Sequence, residues 1–448
     1  MNSVPAHRAS SVTKGPLGIP ALAAGVLLLA ALLFGGGVRG TGDWIVYAVT
    51  AMAAGVLVWG WNPRDGHPWT RVVDAIILAT LAVCVLQLLP LPLALTTAGG
   101  ERAAILAELR VAGVHPEAMA ISLDRWASVR ALLAAGTFAT LWGLTRHLSR
   151  ADRIVLVKGV LVVAVLLAAV GIAQAIAKPD TTGGHAFFTS RNHFATLLAM
   201  LVPFSVAAAC SGAPANGPAS RIGWYGVAGT LVLAVAFTYS RTGVVLVALA
   251  LTASLWGIVW PRLHGRRARL LASGVVAGGA VAVLLLSADR LAARFSDGLV
   301  GDLRWQYFAR SAQAVADYFP WGSGVGTFAG TYERNEAVES LLSPAWGPGE
   351  YIFALYAHNE PLQVGIEAGL PGLGLMLAFL AVVSWGIVAA FRAGGRGDSW
   401  RCAAAIAVAM PLLHSLVDSP LRTLACSAVL ALGLSLLAMP RQEQRAVP

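Results

Sequence analysis

The run Ile154–Ile176, IVLVKGVLVVAVLLAAVGIAQAI, decides the fold class. Lys158 is its only charge, and its length matches the roughly 20 apolar residues a helix needs to cross a hydrocarbon core about 30 Å thick. In lipid, backbone N–H and C=O groups must be satisfied inside the segment itself, so a run of this kind reads as a transmembrane helix. Comparable blocks recur near residues 16–34, 44–61, 72–94, 127–145, 191–210, 223–239, 242–260, 268–286, 369–391, 400–417 and 420–438. Together they predict about twelve spans. Composition agrees: 57% of the 448 residues are hydrophobic and 12% charged, with a mean hydropathy of +0.71, whereas soluble domains carry about 25% charged residues. Short polar loops join the blocks. The expectation is therefore one all-α polytopic bundle over residues 1–448, not a string of soluble domains.

The first block follows Arg8 and Lys14 and lacks a small-residue cleavage site leading into a soluble domain, so it reads as an anchor and not a removable signal. Arg64 and Arg71, then Arg146, Arg150 and Arg153, then Arg262, Arg266, Arg267 and Arg269, then Arg392, Arg396 and Arg401 fall on alternate loops. By the positive-inside rule those loops and both termini are cytoplasmic. The net charge of +10 then belongs to topology and to anionic lipids, and not to a nucleic-acid partner. Cys84, Cys210, Cys402 and Cys426 lie in or at the ends of apolar spans without metal-ligand spacing, and read as packing residues. No solenoid or propeller period is present. The stretches Ser211–Ser220 and Pro344–Gly349 read as irregular connections.

Two outer loops are long, about 95–126 and 287–357. In the second, Leu303, Trp305, Phe308, Ala312, Val315 and Phe319 stand near helical spacing, with Asp302, Arg304, Arg310 and Asp317 between them. They predict an amphipathic helix lying on the outer leaflet or on the bundle. It leads into Gly322-Ser323-Gly324-Val325-Gly326-Thr327-Phe328 and Tyr332. Glycines permit close backbone approach, but without a P-loop lysine this stretch reads as a structural turn before a phosphate cradle.

Charged residues gather at the outer helix ends. Arg125 and Arg130 open the fourth span, Arg191 the sixth, Arg241 sits in the tight connection Tyr239-Ser240-Arg241-Thr242-Gly243, and Arg422 begins the last. Each alone is explained by snorkelling to lipid phosphates. Guanidinium forks around one cavity would instead make a diphosphate site. At the same depth, His358 heads the polar run Asn359, Glu360, Gln363 and Glu367, just before a span. Histidine is the side chain that takes and returns a proton near neutral pH, which makes His358 the favoured base. Glu360 is the rival, disfavoured because a carboxylate beside arginines is a weak base, and His185 and His193 flank Arg191.

Four of these pieces, in order, resemble the O-antigen ligase and polysaccharide polymerase superfamily of bacterial envelope glycosyltransferases. They are Phe187-Phe188-Thr189-Ser190-Arg191-Asn192-His193-Phe194-Ala195, Tyr239–Gly243, Arg304-Trp305 leading to Gly322–Phe328, and His358-Asn359 through Gly369. The motif region covers roughly 187–370, including the loop 287–357. The resemblance implies a GT-C-like, metal-independent, inverting enzyme of lipopolysaccharide biosynthesis in the bacterial inner membrane, needing no cofactor and working at the periplasmic face. Its donor would be a glycan on undecaprenyl diphosphate, and its acceptor a hydroxyl of lipid A-core or of another glycan. The resemblance maps the base to His358 and the diphosphate-binding arginines to Arg191 and Arg241. Position adds Arg130 and Arg422, with Glu360, His193, Arg304 and Arg125 in support. Polymerase chemistry would use the same donor site, so the motifs do not separate it from ligation. A flippase or transporter would place charges or broken helices near the midplane and show paired repeats, whereas here Lys158 lies near the cytoplasmic end and can snorkel.

Overall fold

The computed structural model describes residues 18–37, 41–59, 68–97, 100–178, 183–211, 217–296, 303–334, 354–392 and 398–438, with side chains except those of 287–306 and 333. Arg8, Lys14, Arg64, Arg396, both outermost termini and the stretch Pro344–Gly349 lie outside the described residues. Among those described, the protein is all-α apart from one short ribbon.

The helices, in order, are α1 (Ile19–Phe34), α2 (Gly42–Trp59), α3 (Pro68–Leu88), α4 (Leu93–Thr96), α5 (Gly100–Val111), α6 (Arg125–His147), α7 (Arg150–Ala177) and α8 (Arg191–Cys210). There follow α9 (Pro218–Phe237), α10 (Arg241–Ser254), α11 (Arg266–Ser296), α12 (Leu303–Asp317), α13 (Phe328–Arg334), α14 (Glu360–Arg392), α15 (Ser399–His414) and α16 (Leu424–Leu437). Nine of the described helices are long and apolar enough to cross a membrane, α10 being extended to Arg262, and α1 and α16 are shorter apolar helices. Each expected span overlaps one of these helices, but α15 is not among the helices long and apolar enough to cross, and the span expected over 72–94 stops at Leu88, where Pro90–Pro92 turn the chain into β1.

Local chemistry sets the helix starts. Asp124 accepts from Ala127 N ahead of α6, Ser149 from Asp152 N ahead of α7, Ser240 from Gly243 N ahead of α10, and Asp398 from the amides of Trp400 and Arg401 ahead of α15. Each of these caps satisfies backbone donors that the first turn leaves open. The hub is α8, buried along its whole length from His193 to Ala209. Its small residues let α9, α10 and α15 pack closely around it.

The bundle has two chemically distinct ends. At one, Arg146 pairs with Asp74, Arg150 with Asp398 at 2.7 Å, Arg262 bonds Ser399 at 2.7 Å, and Arg153 and Arg401 bond the last carbonyls of α16. Lys158 lies over the Trp224 ring at 5.7 Å. These are the basic residues expected at the cytoplasmic face. Because α6, α8, α10, α14 and α16 all begin at the other end, Arg130, Arg191, Arg241, Glu360 and Arg422 gather there.

That second end is capped by ordered secondary structure where the sequence suggested long loops. Strand β1 (Pro90–Pro92) pairs antiparallel with β2 (Ala118–Ala120), and α5 lies between them in sequence. The expected amphipathic helix is α12, and it packs on the bundle against α14, with Val315 against Gly365. The span expected from residue 369 is longer: α14 begins at Glu360 and bends at Gly369, whose φ is +57°. The polar run after His358 is thus a helical first segment, buried at Gln363 and Glu367.

Candidate active site

Three non-glycine residues in the described chain have positive φ: Ala186, Tyr239 and His358, all near +50°. Left-handed backbone is uncommon for residues with a Cβ and collects at functional sites. Each of the three sits beside or within one of the motif pieces. Gly184 N donates to Phe237 O, Gln174 Nε2 to Ala186 O, and Thr189 N to Gly36 O, which presses the segment before α8 against the ends of α7, α9 and α1.

What joins the pieces is Asp418, between α15 and α16, with a side chain only 2% exposed. His358 Nδ1 lies 2.9 Å and His193 Nε2 3.3 Å from Oδ1, Ser419 N donates to the same oxygen at 2.9 Å, and Asn192 Nδ2 donates to Oδ2 at 3.0 Å. His414 Nε2 is 3.7 Å from Oδ2. Burial alone would raise the pKa of this carboxyl, but its hydrogen bonds and electrostatic interactions with His193 and His358 prevail and hold it well below the usual carboxylate range. An ionised carboxylate only accepts, so His358 donates from Nδ1 and keeps the Nε2 lone pair for a proton. The ring is 35% exposed and stacks on Tyr307 of α12 at 5.9 Å, so the cap over this end of the bundle holds one face of the imidazole.

The network continues to the arginines. Ser240 Oγ donates to Asn192 Oδ1 at 2.8 Å. That bond sets the first turns of α8 and α10 side by side, with Arg191 and Arg241 as their first residues. Two helix N-termini, each headed by an arginine, therefore lie side by side near the His358–Asp418 pair, an arrangement suited to an anion.

The remaining candidates are placed differently. Arg422 is engaged by two carboxylates: its Nε and Nη2 hold Glu360 at 3.0–3.2 Å, and Nη1 holds Glu367 at 3.0 Å. Glu360, the rival base, is thereby committed to an ion pair. Arg130 is half-buried on α6, where its carbonyl accepts from Tyr47 Oη at 3.4 Å. Arg125 is exposed at the start of α6. Arg304 belongs to α12, and its side chain lies outside the described residues. His193 is buried beneath the site as a partner of Asp418, and His185 N donates to Gln174 Oε1 at 3.2 Å.

The polar run after His358 fixes the histidine in place. Gln363 Oε1 accepts from Ala357 N at 2.9 Å, Asn359 Nδ2 donates to Leu416 O at 2.9 Å, and Glu360 N donates to Ser415 O at 2.8 Å. The Gly322–Phe328 turn is structural in the same sense. Its amides at Ser323, Gly324 and Val325 donate to Ile366 O, Glu367 O and Gln87 Oε1. At Gly324, φ is +111° and an added Cβ would stand 2.5 Å from Ser122 Cα. Only glycine fits both the backbone conformation and the gap.

Sequence reasoning missed Asp418 and Asn192. The available signal was an acid in the brief connection Ser415–Thr423, four residues after His414. A carboxylate between two closely joined spans must sit at the bundle mouth, and it needs partners there.

With this geometry in hand, the class is an all-α, membrane-spanning protein with a histidine–carboxylate pair at one end. Residues 226–377 match the O-antigen ligase family model, Wzy_C, which bears out the resemblance to the O-antigen ligase and polymerase superfamily. The matched region runs from α9 into α14 and contains the Tyr239–Gly243 turn, α12, the glycine turn and His358. No curated protein matches the chain. The family supports a ligase- or polymerase-type membrane enzyme of lipopolysaccharide biosynthesis.

Proposed function

We propose that the protein transfers a glycan from undecaprenyl diphosphate to a hydroxyl acceptor, lipid A-core or another glycan, at the periplasmic face of the inner membrane. The observation that carries this reading is the hydrogen-bonded path His358–Asp418–Asn192–Ser240, which leads from a candidate base to the two arginine-headed helix ends. In the proposed step, His358 Nε2 takes the acceptor O–H proton. The acceptor oxygen then bonds to the anomeric carbon from the side opposite the leaving group. The anomeric C–O bond to phosphate breaks, and its electron pair leaves with the polyprenyl diphosphate. Attack from the opposite side inverts the anomeric centre. Asp418 holds the ring and stabilises the imidazolium as it forms, a contribution of about 10²–10⁴-fold for general-base catalysis. Arg191 and Arg241, with their helix N-termini, neutralise the departing diphosphate, the role a metal ion plays elsewhere.

The test is a reconstituted transfer assay with lipid-linked glycan, comparing wild type with His358→Ala and Arg191→Ala at equal folded protein. Loss of product together with loss of polyprenyl diphosphate release is expected. An acceptor panel of lipid A-core and a lipid-linked repeat unit separates ligation from polymerisation by which is extended. Unchanged turnover in His358→Ala removes it as the base, and lipid movement across the bilayer without any transfer replaces the reading with a flippase.

A further inference from the structure

A cavity of about 410 Å³ opens at the same end of the bundle, between α2, α3, α6, α14 and α16. No residue of α7, α8, α9 or α10 lines it, so it lies away from the two arginine-headed helix ends. It nevertheless adjoins the candidate base. Glu360 at its mouth is two residues from His358, and Arg422 shares the Ser415–Thr423 connection with Asp418. Tyr356 and Glu360, on either side of His358 in the sequence, line this cavity, while Asp418 and Asn192 link His358 to the arginine-headed helix ends, so the candidate base is near both.

The walls are suited to hydrocarbon. Ala127, Ala131, Ala134 and Ala135 on α6 leave the space, and Met376, Phe379 and Leu430 are among the apolar side chains across it. From Arg130 down to Phe138 on α6, and from Arg422 down to Leu430 towards and along α16, the lining descends about 12 Å at the helical rise. One leaflet of the hydrocarbon core is about 15 Å deep, so the cavity reaches towards the midplane, as a chain anchored in the outer leaflet would.

The mouth carries Asp43, Glu360 and Glu367 against Arg130 and Arg422, three carboxylates to two guanidiniums. An excess of negative charge disfavours the diphosphate of the donor. The phenols of Tyr47 and Tyr356, which also line it, are good partners for sugar hydroxyls.

Resting on the transferase reading above, we propose that this cavity anchors the hydrocarbon chain of a lipid-linked sugar acceptor. The acceptor hydroxyl then reaches His358 from the side opposite the donor diphosphate. Inversion requires those opposed approaches, and an acceptor held by its chain meets the base as part of one complex.

Photolabelling of the full-length purified protein tests this without requiring turnover. The probe is a tetradecyl glucoside with a diazirine near the chain end, and farnesyl diphosphate and phosphatidylglycerol are the competitors. Saturable labelling at Phe138, Met376 or Leu430 is expected, with neither competitor reducing it more than about twofold. Filling the cavity with Ala134→Phe or, separately, Thr80→Phe should cut labelling at least tenfold. In the transfer assay these variants should raise KM for a lipid-anchored acceptor by a similar factor, leaving KM for the donor unchanged. Competition by farnesyl diphosphate would reassign the cavity to the donor tail, and equal competition by phosphatidylglycerol would make it a general lipid site. Absence of saturable labelling in correctly folded wild type would also overturn the proposal. Because labelling is independent of chemistry, failure of the transferase reading alone would appear as normal labelling with no transfer to any acceptor.

Discussion

Replacing Asp418 by asparagine keeps the side chain's shape and removes its charge, which isolates what the buried carboxylate contributes. In the native site its oxygens accept from His358 Nδ1, His193 Nε2, Ser419 N and Asn192 Nδ2. An amide has one acceptor oxygen, so its NH2 must face a donor that the carboxylate satisfied. The larger effect concerns the imidazolium. With charge centres about 5 Å apart and an effective dielectric near 20, losing the carboxylate removes about 3 kcal/mol of stabilisation. At about 1.4 kcal/mol per decade this is roughly a 10²-fold loss in kcat. Misorientation of the ring adds to it, so the expected fall is about 10²–10⁴-fold. The assay is single-turnover transfer from saturating lipid-linked glycan, with folded protein quantified by size-exclusion chromatography. A kcat within about threefold of wild type in folded Asp418→Asn would refute the reasoning.

Three further outcomes follow from the same geometry. Arg422→Gln leaves Glu360 and Glu367 without their shared cation, and breaking a buried pair of this kind costs about 3–5 kcal/mol; thermal unfolding in detergent should show a clear loss that a concurrent Glu367→Gln partly restores. Gly324→Ala meets both a positive φ and Ser122, so it should destabilise by about 1–3 kcal/mol, and melting equal to wild type would contradict the assigned turn. In the folded protein the hydrogen bonds from His193 and His358 hold the Asp418 carboxyl well below the usual carboxylate range, so its contribution is fully present above about pH 4 and is lost as pH falls through the lowered folded value. Stability measured between about pH 2 and 5 should therefore fall more steeply with acid in wild type than in Asp418→Asn.

The bundle was legible because membrane helices announce themselves as long apolar blocks, and Arg146, Arg150, Arg153, Arg262 and Arg401 from the Arg-rich alternate loops do come together at one end. The cap over the other end was harder to read. Strands of three residues carry no usable period, and α12 was visible only because its apolar residues recur at helical spacing. The polar run from Asn359 to Glu367 resembles a loop by hydropathy. It is helical because Gln363, Glu360 and Glu367 each find a partner in a neighbouring element, which no local pattern encodes. The same limit applied to the site. His358, Arg191 and Arg241 were visible by residue type and position, whereas Arg422 looked like their equal until its two carboxylates came into view. Asp418 was invisible because its role depends on His193, Asn192 and His358, drawn from distant parts of the chain.

The account rests on His358 and Asp418 acting as one unit, and a double-mutant cycle tests that most directly. Transfer rates would be measured for wild type, His358→Ala, Asp418→Asn and the double variant, all at equal folded protein. If the carboxylate works through the imidazole, the double variant is no slower than His358→Ala alone. If instead the two losses multiply, Asp418 serves the reaction by another route and the proposed pair is wrong.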